Sequence, residues 1–178
     1  MIRVLNVISD TNIGGAGRVI LNYLRYADSS RFETWAAVPR GSLLKAPLEE
    51  AGARVLEVDG MADRSYHRED VKALKELIRR EQPDLVHTHG ALSGRIAARQ
   101  CGVPVVYSRH SAFPVPAKLR CPPGRWVNKW LNEHYADRII AVSPATAENL
   151  TDGGISPRKI TIVMNGVAPV VPVASEDR

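Results

Sequence analysis

The chain has 178 residues, which is enough for one large domain with a full hydrophobic core. Its 44% hydrophobic and 24% charged residues are typical of a globular protein and exclude a disordered or fibrous one. A net charge of +5 favours anionic partners, or simply reflects a solvated basic surface. Cys101 and Cys121 are far apart, so they indicate neither a disulfide framework nor a zinc site, and we expect a cytoplasmic protein.

The first 26 residues predict a strand, a glycine-rich loop and a helix. An apolar run at 2–8 is typical of a strand buried on both faces, and Ile20, Tyr23 and Leu24 have helical spacing. The loop between this strand and this helix contains Gly14, Gly15 and Gly17, which allow positive φ angles and a close backbone approach to a phosphate or a sugar. The alternative is that these glycines only allow tight packing of the helix.

The rest of the chain alternates between strand and helix patterns. Strands are predicted at 32–38, 54–58, 84–90, 104–110, 138–143 and 159–163. Helices are predicted at 43–51, 67–82, 92–100, 125–135 and 145–150, with an irregular basic loop at 114–124. This order predicts an α/β fold: a Rossmann-like, doubly wound parallel sheet of about seven strands with helices on both faces.

Polar residues follow the carboxyl ends of several predicted strands, where ligands of such sheets bind. Besides the glycines, they are His87, His89, Arg109, His110, Ser143, Asn165 and Gly166. We therefore expect one polar rim on the domain.

Three interpretations of this rim compete. An NAD site is disfavoured, because Ile20 stands where the fingerprint has a glycine or alanine and because the second strand is followed by Arg40 without an acidic residue. Arg40 leaves an NADP-type contact with a 2′-phosphate open as an alternative. A metal trio of His87, His89 and His110 is disfavoured because no nearby acidic residue orients it. His87 can equally be a buried, hydrogen-bonded side chain without a binding role.

Several motifs resemble the amino-terminal half of a family 4 glycosyltransferase. They lie at 13–19 (IGGAGRV), 83–90 (PDLVHTHG), 105–110 (VVYSRH), 136–143 (ADRIIAVS) and 155–167 (ISPRKITIVMNGV). The resemblance covers nearly the whole chain, and the last two motifs are its most specific part.

The resemblance implies a GT-B enzyme of two Rossmann-like domains. Residues 1–167 would form the amino-terminal, acceptor-side domain, and 168–178 a linker toward a carboxyl-terminal domain that binds a nucleotide-sugar. Such enzymes transfer a sugar with retention of configuration, without a metal or another cofactor. The expected partners are a nucleotide-sugar donor and a glycan or lipid-linked acceptor, and no nucleic acid.

The resemblance also assigns roles to residues of the rim. His110 matches the catalytic histidine of the cleft, which would hydrogen-bond the transferred sugar. The segment containing Gly14 and Gly15 would lie near the donor phosphates and the acceptor. Substrate-binding roles also fall to His89, Arg109 and Ser143, and a hinge role to Asn165 and Gly166.

The basic pair and the two spaced glutamates with which the family binds its donor find no match in residues 1–178. Electrostatic stabilisation of the leaving diphosphate would therefore be too weak, and we expect the chain alone to be inactive. The alternative function, from another class, is a non-catalytic module that binds a nucleotide or a sugar phosphate.

Aromatic and basic residues alternate between Lys118 and Lys129. Trp126 and Trp130 are four residues apart and share a helix face. One interpretation is peripheral contact with an anionic membrane, at its inner face. The favoured one is a stripe of Val127, Trp130 and Leu131 that faces the core, because this helix must cover the sheet.

Overall fold

Residues 1–166 of the chain are described by a computed structural model. They contain a sheet of seven parallel strands in the order β3-β2-β1-β4-β5-β6-β7, which is a doubly wound topology. The strands are β1 (Ile2–Ile8), β2 (Phe32–Pro39), β3 (Arg54–Val58), β4 (Leu85–His89), β5 (Val105–Arg109), β6 (Arg138–Ala141) and β7 (Ile160–Ile162). The predicted number of strands and the α/β class are confirmed.

Seven α-helices connect these strands within the described residues. They are α1 (Gly15–Tyr26), α2 (Lys45–Glu50), α3 (Arg68–Glu81), α4 (Leu92–Gln100), α5 (Ala117–Arg120), α6 (Gly124–His134) and α7 (Pro144–Asp152). A 3₁₀ turn, Pro157–Lys159, precedes β7. The predicted linker at 168–178 lies outside the described residues.

Helices cover both faces of the sheet because β1 and its neighbours are apolar on both sides. On one face Leu5 and Val7 pack into a cluster with residues of α3 and α4. On the other face Ile8 packs with Ile20 of α1 and with Leu48 of α2. Beside α1 this second face stays partly open: Leu85, Val106 and Ile140 of the neighbouring strands are only half-buried, so this face and the carboxyl edge remain accessible to a ligand.

The glycine segment differs from the predicted loop. Helix α1 begins at Gly15, so two of the three glycines are helical, and Gly14 is the N-cap residue with φ −81°. None of the three has a positive φ. Gly17 favours close packing instead, because a Cβ there would lie 3.1 Å from Leu44 Cδ1 and closer still to Cδ2.

Two predictions fail between β5 and β6. Within the predicted irregular loop at 114–124, the four residues of α5 are helical. The predicted core-facing stripe on α6 is wrong, because Val127 and Trp130 are exposed and Leu131 is only half-buried. The inward face of α6 is polar: Asn132 is buried and accepts a hydrogen bond from Arg95 Nη1 (2.9 Å).

In the part of the chain that the structure describes, no helix combines the length and the apolar character needed to cross a bilayer.

Candidate functional site

The candidate site lies at the carboxyl edge of the three central strands. Ile8, the last residue of β1, pairs with His89, the last residue of β4. His89 in turn pairs with Ser108 of β5. The parallel register therefore brings the segment before α1 and the two histidine-containing strand ends to the same edge, as the sequence predicted.

The segment between β1 and α1 is held by its neighbours. The Ser42 hydroxyl donates to the Asp10 carbonyl (2.9 Å), and the Leu43 amide donates to the Thr11 carbonyl (2.9 Å). The Asp63 carboxylate accepts from the amide (3.0 Å) and the hydroxyl (2.6 Å) of Thr11. A fixed backbone at this position keeps the start of α1 in a defined orientation for a ligand.

The amino terminus of α1 has the chemistry of an anion site. The first amide groups of a helix have no intrahelical acceptor, and Gly14 offers no side chain to cap them. A Cβ on Gly15 would meet nothing within 4 Å, so the exposed backbone here is open to close approach. The helix dipole adds a positive potential at the same point.

Asp10 is a candidate residue that the sequence reasoning missed. Its Oδ2 would lie 3.1 Å from a Cβ on Gly14, which places the carboxyl group beside the start of α1. Burial raises the pKa of Asp10, and the charge of Asp63 adds to this effect. A carboxyl group with a raised pKa can accept or hold a proton at this edge. Its position two residues after β1 was the available sequence signal.

A chain of hydrogen bonds connects Asn6, His89 and His110. The Asn6 side-chain amide donates to the Trp35 carbonyl (3.3 Å), so its oxygen faces His89 Nε2 at 3.1 Å and accepts from it. His89 Nδ1 then accepts from His110 Nε2 at 2.9 Å. These hydrogen bonds fix the tautomers of both imidazole rings. His110 Nδ1 is buried and has no partner among residues 1–166.

All three histidines of the edge are held in the neutral form. Burial lowers the pKa of His87 to about 4, and the proximity of His110 contributes. Burial also places the pKa of His89 well below its usual value, with smaller effects of His87 and His110. Burial alone lowers the pKa of His110. Neutral imidazoles both donate and accept, which suits contact with hydroxyl groups.

His87 has a hydrogen-bonded position of its own. Its Nε2 lies 2.8 Å from the Ser108 hydroxyl, and its ring lies 4.3 Å from that of His89, centroid to centroid. Within residues 1–166, no group of three or more histidine, cysteine, aspartate or glutamate side chains has the geometry to hold a metal ion. These contacts agree with the structural interpretation of His87.

A cavity of about 550 Å³ opens beside α1, on the face of the sheet to which His89 and His110 point. It is lined mainly by apolar side chains of α1 and of the strands, among them Val4, Ile20, Leu85, Val106, Ile140 and Val142. Such walls suit hydrocarbon rather than a sugar, whose hydroxyl groups would lose their hydrogen bonds there. The polar part of the same lining, which includes Asn6, His89 and His110, is therefore the better sugar site.

The other predicted site residues are spread around this edge. Arg109 donates through Nε to the Ser111 carbonyl (2.9 Å) and does not line the cavity. Ser143 is the N-cap of α7, where its hydroxyl accepts from the Thr146 amide (3.1 Å). Gly166 and Asn165 border the cavity, and the Gly166 carbonyl accepts from the Asn22 side chain (3.3 Å).

Comparisons with known proteins agree with this fold. The chain is 33% identical over 102 residues to the UDP-Gal:α-D-GlcNAc-diphosphoundecaprenol α-1,3-galactosyltransferase of Escherichia coli. The match covers 53% of this chain and 26% of the relative. HepE of Anabaena, solved with UDP and glucose, superposes with a TM-score of 0.71 at 18% identity, over 94% of this chain and 45% of HepE.

A glycosyltransferase of Rickettsia africae superposes with a TM-score of 0.74 at 18% identity, over 93% of this chain and 43% of that protein. The chain thus spans less than half the length of each of these proteins. The profile of Glycosyltransferase Family 4 matches residues 13–170, which is most of the chain. The chain therefore belongs to Glycosyltransferase Family 4 and has the amino-terminal domain of the GT-B fold.

Proposed function

We propose that this chain is the acceptor-binding half of a retaining, hexosyl-type glycosyltransferase. The complete enzyme would transfer a sugar from a nucleotide-sugar to a glycan or lipid-linked acceptor. The observation that carries the proposal is the family match together with the polar edge formed by the start of α1 and the pair His89–His110. No metal or other cofactor takes part in the proposed reaction.

In this proposal the start of α1 receives phosphate and sugar oxygens. The open backbone at Gly15 and the uncapped amides after Gly14 support this role, because both favour an anionic or hydroxyl-rich ligand. His110 is the proposed catalytic residue, which hydrogen-bonds the transferred sugar as a neutral imidazole. Its lowered pKa supports this role, because the neutral ring keeps an unprotonated Nδ1, which has no partner among residues 1–166 and can accept a hydrogen bond from a sugar hydroxyl group.

The donor-binding groups are proposed to come from outside this chain. Two considerations support this: the chain spans less than half of each similar protein, and the resemblance assigns donor binding to a second domain. Without those groups, the charge that develops on the leaving diphosphate lacks its main stabilisation. We therefore expect no transfer by the 178-residue chain alone.

The first test reads the coding sequence beyond Arg178 and assays its complete product beside the 178-residue chain. UDP-galactose and a short-chain analogue of GlcNAc-diphosphoundecaprenol are suitable probes, because the Escherichia coli relative is named for these substrates. The complete product should transfer galactose, whereas the chain alone should bind the acceptor analogue without transfer.

His110→Ala in the complete product should lower kcat about 10²-fold, because one transition-state contact is lost. His134→Ala, an exposed histidine on α6, is the control and should leave kcat unchanged. Ordinary turnover by the chain alone would contradict the proposal. Saturable binding of UDP-galactose by the chain, without binding of the acceptor, would favour the non-catalytic nucleotide-binding module instead.

A further inference from the structure

Helix α6 presents its apolar side chains to the solvent and its polar ones to the protein. Asn128 donates to the Gly153 carbonyl (2.7 Å), and Asn132 is buried against Arg95 of α4 (2.9 Å). On the opposite side Trp126 and Trp130 are 66% and 55% exposed. A helix with this orientation is held to the domain by hydrogen bonds. Its apolar face stays largely exposed, although the Trp130 ring stacks on His134 and meets Tyr135 edge-on.

Basic residues flank these tryptophans in the sequence. Residues 111–132 contain four lysines and arginines and no acidic residue. The next acid, Glu133, turns inward and accepts a hydrogen bond from the Ser156 amide (2.7 Å). The carbonyl of Lys118 lies against Gly124, so the end of α5 adjoins the start of α6.

We propose that this surface binds an anionic lipid bilayer. We call it the basic-aromatic face and define it by six exposed residues of α5 and α6: Lys118, Arg120, Trp126, Val127, Lys129 and Trp130. Tryptophan and lysine side chains join an apolar body to a polar tip, which suits the boundary between headgroups and acyl chains. Lying flat at that boundary, α6 buries its outward face, and the surrounding cations meet anionic headgroups.

The composition of the face favours a bilayer over a protein partner. Lysine is depleted at the centres of protein interfaces, whereas Lys129 directly adjoins Trp130 here. Phe113, which is also exposed, precedes α5 in the sequence. The inference rests on exposure and charge alone and does not depend on the proposed transferase activity.

Sedimentation of the 178-residue chain with vesicles tests the inference. Vesicles of phosphatidylcholine alone are compared with vesicles of phosphatidylcholine and phosphatidylglycerol in equal parts. We expect binding to the anionic vesicles at low salt, and weaker binding at high salt because the attraction is screened. Emission of Trp126 and Trp130 should shift to shorter wavelength and be quenched by brominated acyl chains, whereas Trp35 is already buried.

Two pairs of variants separate the contributions. Trp126→Ser with Trp130→Ser should lower the partition coefficient about tenfold or more, because apolar burial is lost. Lys118→Glu with Lys129→Glu should lower it about 25-fold or more, since each cation near an anionic surface contributes about fivefold.

Exposed residues outside the face provide the matched controls. Tyr66→Ser replaces an aromatic residue that is 55% exposed, like Trp130, and Lys72→Glu with Arg79→Glu repeats the charge change on α3. These variants should bind vesicles like the unchanged chain, and circular dichroism should show all variants folded.

Absence of binding to anionic vesicles at low salt would overturn the inference. Equal loss of binding in the face variants and the α3 charge variant would also overturn it, because the attraction would then reflect only the net charge of the chain. Undiminished vesicle binding after replacement of both tryptophans would also overturn the inference.

Discussion

Replacement of Gly17 by alanine tests whether the glycine segment serves packing or binding. A Cβ at this position would lie 3.1 Å from Leu44 Cδ1, 3.3 Å from Cγ and closer still to Cδ2. Carbon atoms in contact are normally about 3.5–4.0 Å apart, so the end of Leu44 must move. Leu44 is fully buried among Ile8, Ile20 and Leu48, which leaves little space for that movement.

The magnitude follows from two opposing effects. Overpacking of a core costs about 1–3 kcal/mol, whereas alanine stabilises a helix by about 1 kcal/mol relative to glycine. We therefore expect Gly17→Ala to lower the free energy of unfolding by about 1 kcal/mol, which corresponds to about 2–4 °C in Tm for a domain of this size. Thermal unfolding followed by circular dichroism measures this shift.

Gly15→Ala is the matched control in the same turn of α1. No atom would lie within 4 Å of its Cβ, so Tm should stay constant or rise. The effect on ligand binding should be the reverse: Gly15→Ala obstructs the open backbone, and Gly17→Ala leaves it accessible. Shortening the neighbour with Leu44→Val should partly rescue Gly17→Ala. Equal Tm values for the two glycine variants would refute the packing argument.

Two further predictions concern stability. The pKa of His87 is about 4 in the folded chain and about 6.5 in the unfolded chain, so the unfolded chain binds more protons between these two pH values. The free energy of unfolding therefore keeps its full contribution from His87 above about pH 6.5. It falls toward pH 4 by up to about 3 kcal/mol. Urea titrations at pH 7 and pH 4.5 measure this loss, and equal midpoints would contradict it. Asp70 is buried and accepts from Arg64 Nη2 (2.6 Å), so Asp70→Ala should cost about 2 kcal/mol. Asp59→Ala removes an exposed ion pair with Arg40 and should leave the urea midpoint nearly unchanged. Similar urea midpoints for these two variants would show that burial does not set the strength of the Asp70 pair.

Local sequence signals account for most of the fold. The predicted α4 agrees with the structure at both ends, and α3 agrees within one residue, because apolar spacing and the stops at Pro83 and Gly102 act within a few residues. The doubly wound, parallel arrangement agrees because alternating strands and helices allow few connections. The extra helix α5 was missed because prolines surround it.

The failures have nonlocal causes. Helix α6 carries apolar residues at helical spacing, but its inward face is polar. Asn132 holds it to α4, and Asn128 holds it to Gly153 at the end of α7, by hydrogen bonds that cannot be predicted from local sequence. The bond between Asn6 and His89 joins residues 83 positions apart, and only the register of β1 and β4 brings them together. The sequence therefore predicted that polar residues gather at this edge without predicting their connections.

Acceptor binding by the chain itself is the central claim, and nuclear magnetic resonance tests it most directly. Amide shifts of the ¹⁵N-labelled 178-residue chain are followed during titration with the GlcNAc-diphosphate lipid analogue, and separately with UDP-galactose. We predict saturable shifts at Gly14, Gly15 and His110 with the acceptor analogue and weak shifts with UDP-galactose. Saturable shifts with UDP-galactose alone, or acceptor shifts confined to α3, would contradict the assignment of this domain to the acceptor.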